Sequence, residues 1–159
     1  MNCHITICAK SEVFDLLSKS KYDAIISIDN VCNNRKFTDN KANTRRKQLA
    51  KYCEQVLHLR FYDVVDKNNI DGPKLYHIIR IKEFAETLRD KKVLIHCIAG
   101  ISRSTAAAMI VLMCLDHGID EARSHILKIR PIADPNQLML DLYQRSLELD
   151  NLDVDFEFF

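Results

Sequence analysis

A chain of 159 residues, 47% hydrophobic and 28% charged, has the make-up of one ordinary globular domain with a full core. A formal net charge of +1 gives no electrostatic ground for a nucleic-acid partner, and none is expected. Three glycines and three prolines are too few for a low-complexity chain, and no stretch repeats.

The longest apolar run, Ala106 to Leu115, is ten residues, where a membrane span needs about 20, so no membrane association is expected. The six cysteines are Cys3, Cys8, Cys32, Cys53, Cys97 and Cys114. None forms a Cys-x2-Cys pair, and no Cys/His cluster has zinc-finger spacing, so no metal is expected. The opening Met-Asn-Cys-His-Ile-Thr-Ile lacks the basic region and apolar core of a secretory signal. The expectation is a cytoplasmic protein with reduced thiols.

Ile5 to Ala9 reads as a first strand, followed by a helix from Ser11 as N-cap through Leu17. Tyr22 to Ile28 is a β-rich apolar run, read as a central buried strand that ends at the turn signal Asp29-Asn30. Asn33 to Lys51 carries seven cations, Arg35, Lys36, Lys41, Arg45, Arg46, Lys47 and Lys51. It reads as a solvated, partly helical face, with steering of an anionic substrate as the alternative.

Leu57 to Tyr62 reads as a third strand, ending in Asp63-Val64-Val65-Asp66. A polar loop, Lys67 to Lys74, turns at Asp71-Gly72-Pro73. The helix expected over Leu75 to Arg89 puts Leu75, Ile78, Ile79, Ile81, Phe84, Ala85 and Leu88 largely on one face. Strand Val93 to Ile95 follows, then a short loop and a helix from Thr105 to about His117, apolar nearly all round. Gly118 fits the C′ position of that helix. Asp120 to Ile129 makes a shorter helix with Ala122, Ile126 and Ile129 inward, stopped by Pro131 and Pro135.

A final amphipathic helix runs from Gln137 to Leu149, with Asn136 as its N-cap. The acidic tail holds Phe156, Phe158 and Phe159 and reads equally as a frayed end, a packing arm or a dimer contact. One domain over 1–150 and a tail over 151–159 result. Alternating strands and helices give a three-layer α/β domain, with a mainly parallel central sheet of about four or five strands flanked by helices. Its site belongs at the carboxyl ends of the strands.

The chemistry lies in His96-Cys97-Ile98-Ala99-Gly100-Ile101-Ser102-Arg103-Ser104. Strand, short loop and helix N-terminus form an anion cradle, in which loop N–H groups point inward and the helix dipole adds positive charge. The Arg103 fork can hold two oxygens of a phosphate. Cys97 on the cradle floor then favours its thiolate, poised for in-line attack on phosphorus. Ser104 can donate to that thiolate, and Gly100 permits a positive φ.

This string carries the Cys-x5-Arg signature of the cysteine-dependent protein tyrosine phosphatases. With its Ala99-Gly100-Ile101-Ser102 filling it most resembles the small dual-specificity branch and its bacterial relatives. The resemblance continues through Arg130-Pro131…Pro135-Asn136 and covers most of the chain. It implies the three-layer phosphatase fold and hydrolysis of a phosphorylated protein or small phosphoester through a phosphocysteine, without any cofactor. It also implies that His96 supports the loop by hydrogen bonds, and that the amides of Ile98, Ala99, Gly100, Ile101, Ser102 and Arg103 coordinate the phosphate.

The family uses an aspartate roughly thirty residues upstream as general acid and, later, as the base that activates water. Asp63, 34 positions before Cys97, and Asp66, 31 before, both fit. Asp63 is favoured because it directly follows the third strand, while Asp66 matches the spacing common in dual-specificity enzymes. Asn136 and Gln137 are read as the start of the last helix, with positioning of water by Gln137, as a glutamine does in the larger phosphatases, as the alternative. The uncharged Ile98, Ala99, Ile101 and Ser102 argue against inositol phosphates. Two other readings stay open: a rhodanese-like sulfur transferase, and a non-catalytic phosphate-binding module on the same fold.

Overall fold

The structure, a computed structural model, describes residues 3–31 and 44–157. Its centre is one sheet of four parallel strands: β1 (His4–Ala9), β2 (Ala24–Asp29), β3 (Gln55–Arg60) and β4 (Lys92–Cys97). The order β1-β4-β2-β3 leaves β4 and β2 in the middle. Ile25, Ile26 and Ile28 of β2 and Val93, Leu94 and Ile95 of β4 are fully buried. Parallel strands covered on both faces require such continuous apolar runs.

A 3₁₀ turn (Lys10–Glu12), α1 (Val13–Lys19) and a helix over 44–50, α2, serve one face. There Val13, Leu17 and Leu49 pack with Cys8, Ile25 and Leu94. The other face carries α3 (Leu75–Ala85), α4 (Arg103–Cys114), α5 (Ile119–Ile129) and α6 (Gln137–Glu157). Every residue of α4 from Arg103 to Leu112 is buried, as its all-round apolar sequence requires. The α/β reading with a parallel sheet therefore holds, with four strands.

Several local expectations change. Ser11 does not cap a helix; it lies inside the 3₁₀ turn, and the Glu12 carboxylate takes the Ala9 N–H at 3.1 Å. Helix α3 stops at Ala85, where the Thr87 hydroxyl bonds back to the Phe84 carbonyl at 2.7 Å. Ile79 is exposed, because the inner stripe is the narrower set Ile78, Ile81 and Ala85. Ile129, at the last turn of α5, is exposed as well.

Helix α4 ends at Cys114, and Asp116, not Gly118, takes the left-handed cap with φ 74°. The His117 and Asp116 N–H groups then reach the Leu112 and Met113 carbonyls at 3.1 and 3.3 Å, which satisfies the open helix end. Gly118 instead precedes α5 in an extended conformation. Helix α6 runs on to Glu157, past the expected end at Leu149, and Lys82 ties it down at Ser146 (3.0 Å) and Asp150.

Of the cationic stretch, Asn33 to Asn43 lies outside the described residues, as do Cys32, Phe158 and Phe159. Among the described residues, no helix is long and apolar enough to cross a membrane.

Candidate active site

Cys97 is the last residue of β4 and Arg103 the first of α4, so the five residues between them must turn at the carboxyl edge of the sheet. Each of their carbonyls is held from outside. Ile98 O accepts from the Lys10 N–H (3.0 Å), Ala99 O from Arg130 Nη2 (3.3 Å) and Gly100 O from Arg130 Nε (2.9 Å). Ile101 O accepts from the Asp134 N–H (2.9 Å) and Ser102 O from the Asn136 N–H (3.1 Å). A trans peptide carries its N–H opposite its C=O, so turning the carbonyls out turns the amides in, toward Cys97. The Gly100 N–H accordingly lies 3.2 Å from Cys97 Sγ.

The turn needs its glycine. Gly100 has φ +69°, and a Cβ there would sit 2.6 Å from the Cys8 carbonyl carbon and 2.7 Å from Arg130 Nη2. Gly100→Ala is expected to cost about 1–3 kcal/mol of stability and to push the loop off β1. Phosphate should raise the Tm of the parent chain but not that of the variant, as a thermal-shift titration would read.

Burial raises the Cys97 pKa, but the Ser104 hydroxyl and the amides of Ser104, Gly100 and Ile101 outweigh it and bring the thiol below its ordinary value. Ser104 Oγ is 3.1 Å from Sγ and donates to the thiolate form. Cys3 and Cys8, buried without such donors, are pushed up to about 11 and about 12. His96 is wholly buried, with Nδ1 3.1 Å from the Cys97 carbonyl and Nε2 2.6 Å from Ser27 Oγ. A carbonyl only accepts, so Nδ1 carries the proton and Nε2 accepts from Ser27. Burial lowers the ring to about 4, which leaves it a neutral brace.

Arg103 is 3% exposed. Its Nη1 donates to Asn30 Oδ1 (2.8 Å) and the Phe61 carbonyl (2.6 Å), both neutral acceptors. Its Nε is buried without a partner among the described residues. A buried cation with an open donor is costly unless an anion meets it, which fits an anionic ligand here. Asn30 is anchored through the buried Asp29, whose oxygens meet Lys10 Nζ (2.8 Å) and His58 Nε2 (2.9 Å). Burial raises the Asp29 carboxyl, yet those two donors hold it well below the usual carboxylate range.

The two aspartates part company. Asp63 Oδ1 accepts from Ser102 Oγ (2.7 Å) on the 98–102 loop and from Asn136 Nδ2 (2.8 Å). Asp66 Oδ1 instead accepts the Asn68 N–H (2.9 Å) and closes its own turn. Asn136 caps α6, taking the Met139 N–H at 3.0 Å, and also donates to the Val64 carbonyl at 3.1 Å. Gln137 is exposed and donates to Asp141 (2.8 Å) on its own helix.

The structure therefore brings Cys97, Arg103, Ser104, His96 and Asp63 to one loop, and leaves Asp66 and Gln137 off it. Lys10, Asn30 and Arg130 were not singled out from the sequence. Arg130 carried one signal, its place in the Arg-Pro…Pro-Asn segment, whereas Asn30 registered only as a turn residue.

No protein-family model matches the chain. Over 93 residues it is 32% identical to dual specificity protein phosphatase 5 of Homo sapiens, a match covering 57% of this chain and 24% of that one. The chain thus spans well under half the length of this relative. Among solved structures, human DUSP28 superposes with TM-score 0.62 at 15% identity over 96% of each chain. PTPMT1 in complex with PI(5)P gives TM-score 0.60 at 18% identity, again over 96% of each. Tk-PTP in a mutant form gives 0.58 at 20% identity, over 96% of this chain and 95% of that one. At these identities the likeness is one of fold.

Proposed function

From the Cys97–Arg103 loop, and from the likeness to dual specificity protein phosphatase 5 and to solved phosphatase folds, we infer that the chain is a cysteine-dependent, dual-specificity-like phosphomonoester hydrolase acting on phosphotyrosine or, with dual specificity, on phosphorylated proteins more broadly. The observation that carries this reading is the phosphate loop itself. Five carbonyls tied outward leave a ring of amides around a thiol of lowered pKa, beside a buried arginine with an open donor.

In the proposed sequence Cys97 Sγ attacks phosphorus in line, forming the S–P bond as the P–O bond to the leaving group breaks. Arg103 and the amides of residues 98–103 hold the three equatorial oxygens as charge shifts among them. Asp63 gives its proton to the departing oxygen. It then takes a proton from the water that attacks the phosphocysteine, and the S–P bond breaks to release phosphate. Ser104 receives the returning thiolate. Its contact with Ser102 supports Asp63 over Asp66, and the neutral, fully engaged His96 fits a bracing role. The chemistry needs no metal or cofactor. We place the catalytic domain at 1–150 and the protein in the cytoplasm, where its thiols stay reduced.

Hydrolysis of a small aryl phosphate in EDTA, followed across pH, tests the reading. Asp63→Asn should lose the limb on which activity falls with rising pH. It should also slow turnover by about a hundredfold or less, because aryl leaving groups need little protonation. Asp66→Asn should keep the wild-type profile. A reversed pattern would make Asp66 the acid. A wild-type chain that binds phosphate yet never turns over would be a binding module instead.

A further inference from the structure

Asn30 is exposed, yet the chain holds it from both sides. Before it, Asp29 is 2% exposed. The Asp29 carboxylate meets Lys10 Nζ (2.8 Å) and His58 Nε2 (2.9 Å), and its carbonyl accepts the Phe61 N–H (3.0 Å). After it, the Val31 carbonyl accepts the Tyr62 hydroxyl at 3.0 Å. A turn asparagine ordinarily spends its side-chain oxygen on the backbone two residues on. Asn30 Oδ1 instead accepts from Arg103 Nη1 at 2.8 Å, across 73 positions. A guanidinium only donates, so this contact fixes which way the amide faces.

The same guanidinium nitrogen donates to the Phe61 carbonyl (2.6 Å), and the N–H of that same Phe61 holds Asp29. Asp29, Asn30, Phe61 and Arg103 thus close a ring in which the ends of β2 and β3 grip one nitrogen of the fork. The pair Asp29-Asn30 also divides the charge. The carboxylate lies one residue back, buried between Lys10 and His58, and the residue that faces Arg103 is a neutral amide. The Lys10 N–H meanwhile holds the Ile98 carbonyl (3.0 Å), so Lys10 ties this anchor to the 98–102 loop.

We propose that Asn30 is a positioning residue: it fixes the Arg103 fork and, being neutral, leaves the guanidinium charge to a doubly charged tetrahedral oxyanion. The proposal rests on the phosphatase reading and deepens it. A phosphate monoester dianion is the ligand so favoured, over a singly charged phosphodiester or sulfate ester. An aspartate in place of Asn30 would accept the same hydrogen bond but set a carboxylate against the guanidinium. A dianion feels that added charge twice as strongly as a monoanion does. An alanine would leave the gripped nitrogen only the Phe61 carbonyl, and the fork free to turn.

Two measurements test this. In the first, tungstate and perrhenate, tetrahedral oxyanions of two charges and of one, are titrated at neutral pH into Cys97→Ser with and without Asn30→Asp. Asn30→Asp should weaken perrhenate by about threefold and tungstate by about tenfold, the square of the monoanion's loss. Equal losses for the two ions, as a folding defect would give, would overturn the charge role. In the second, kcat/KM on an aryl phosphate is measured for Asn30→Ala beside Arg103 and on the Arg103→Lys background. Asn30→Ala should cost about tenfold beside Arg103, mostly in kcat, and no more than about twofold beside lysine, because it acts through the fork. The same loss on both backgrounds, or none beside Arg103, would overturn the positioning role. A failed phosphatase reading shows as wild type inert on the aryl phosphate. The oxyanion titration needs no turnover and still decides the role of Asn30.

Discussion

Cys97→Ser should lower aryl phosphate hydrolysis by more than about 10⁴-fold while leaving phosphate bound. The loop is built to stabilise a thiolate. Its donors, Ser104 and the Gly100, Ile101 and Ser104 amides, outweigh the burial that would otherwise raise the thiol. A serine hydroxyl ionises far too weakly for the same donors to suffice. His96, next to it in the chain, is no base for it, since both ring nitrogens are already engaged. Steady-state rates and phosphate-dependent Tm shifts on the same preparation measure both halves of this expectation.

The sign of the pKa shift sets a pH signature. A lowered folded-state pKa keeps the thiolate populated to lower pH than in an ordinary cysteine, so alkylation of Cys97 by iodoacetamide should persist on the acid side. Cys3, Cys8, Cys53 and Cys114, all raised by burial, should stay unmodified in that window. Peptide mapping after alkylation reads this directly, and modification of the other four first would contradict it.

Arg103→Lys should cost about 10²–10³ in kcat and raise KM as well. The guanidinium spends one nitrogen on two fixed acceptors, Asn30 Oδ1 and the Phe61 carbonyl, and keeps the rest for a ligand. A lysine offers one nitrogen at the end of a flexible stem. If that nitrogen meets Asn30 and Phe61 it abandons the phosphate, and if it meets the phosphate it leaves two buried acceptors open. Neither acceptor is charged, so on the proposed mechanism Arg103 would bring its full positive charge to the developing oxyanions. A lysine variant within a few-fold of wild type would mean that fork geometry is not what the site uses.

The parts legible in the sequence were those written in contiguous residues. The apolar runs of β2 and β4 foretold buried central strands, the all-round apolar α4 foretold a buried helix, and alternation foretold the parallel sheet. The nine-residue string likewise carried its strand–loop–helix order, although the strand runs on to Cys97 and the helix begins at Arg103, each two residues nearer the loop than expected.

What escaped was set by partners far along the chain. Asn30 meets Arg103 across 73 positions, Arg130 meets Gly100 across 30, and Asp63 differs from Asp66 by contacts with Ser102 and Asn136, 39 and 73 positions away. No local pattern encodes such pairs. Asp116 took the cap given to Gly118 because α4 closes on the Leu112 carbonyl, and its carboxylate meets Arg89 at 3.0 Å. Helix α6 outran its expected end where Lys82 of α3 reaches Asp150.

The most direct test is to trap the intermediate. Wild type and Asp63→Asn would be mixed with aryl phosphate in EDTA, quenched in acid, digested and mapped by mass spectrometry. The mechanism predicts one phosphoryl group on Cys97, more of it in Asp63→Asn because the water that clears it lacks its base, and none in Cys97→Ser. No adduct during turnover, an adduct on another residue, or turnover only on adding a divalent metal would contradict it.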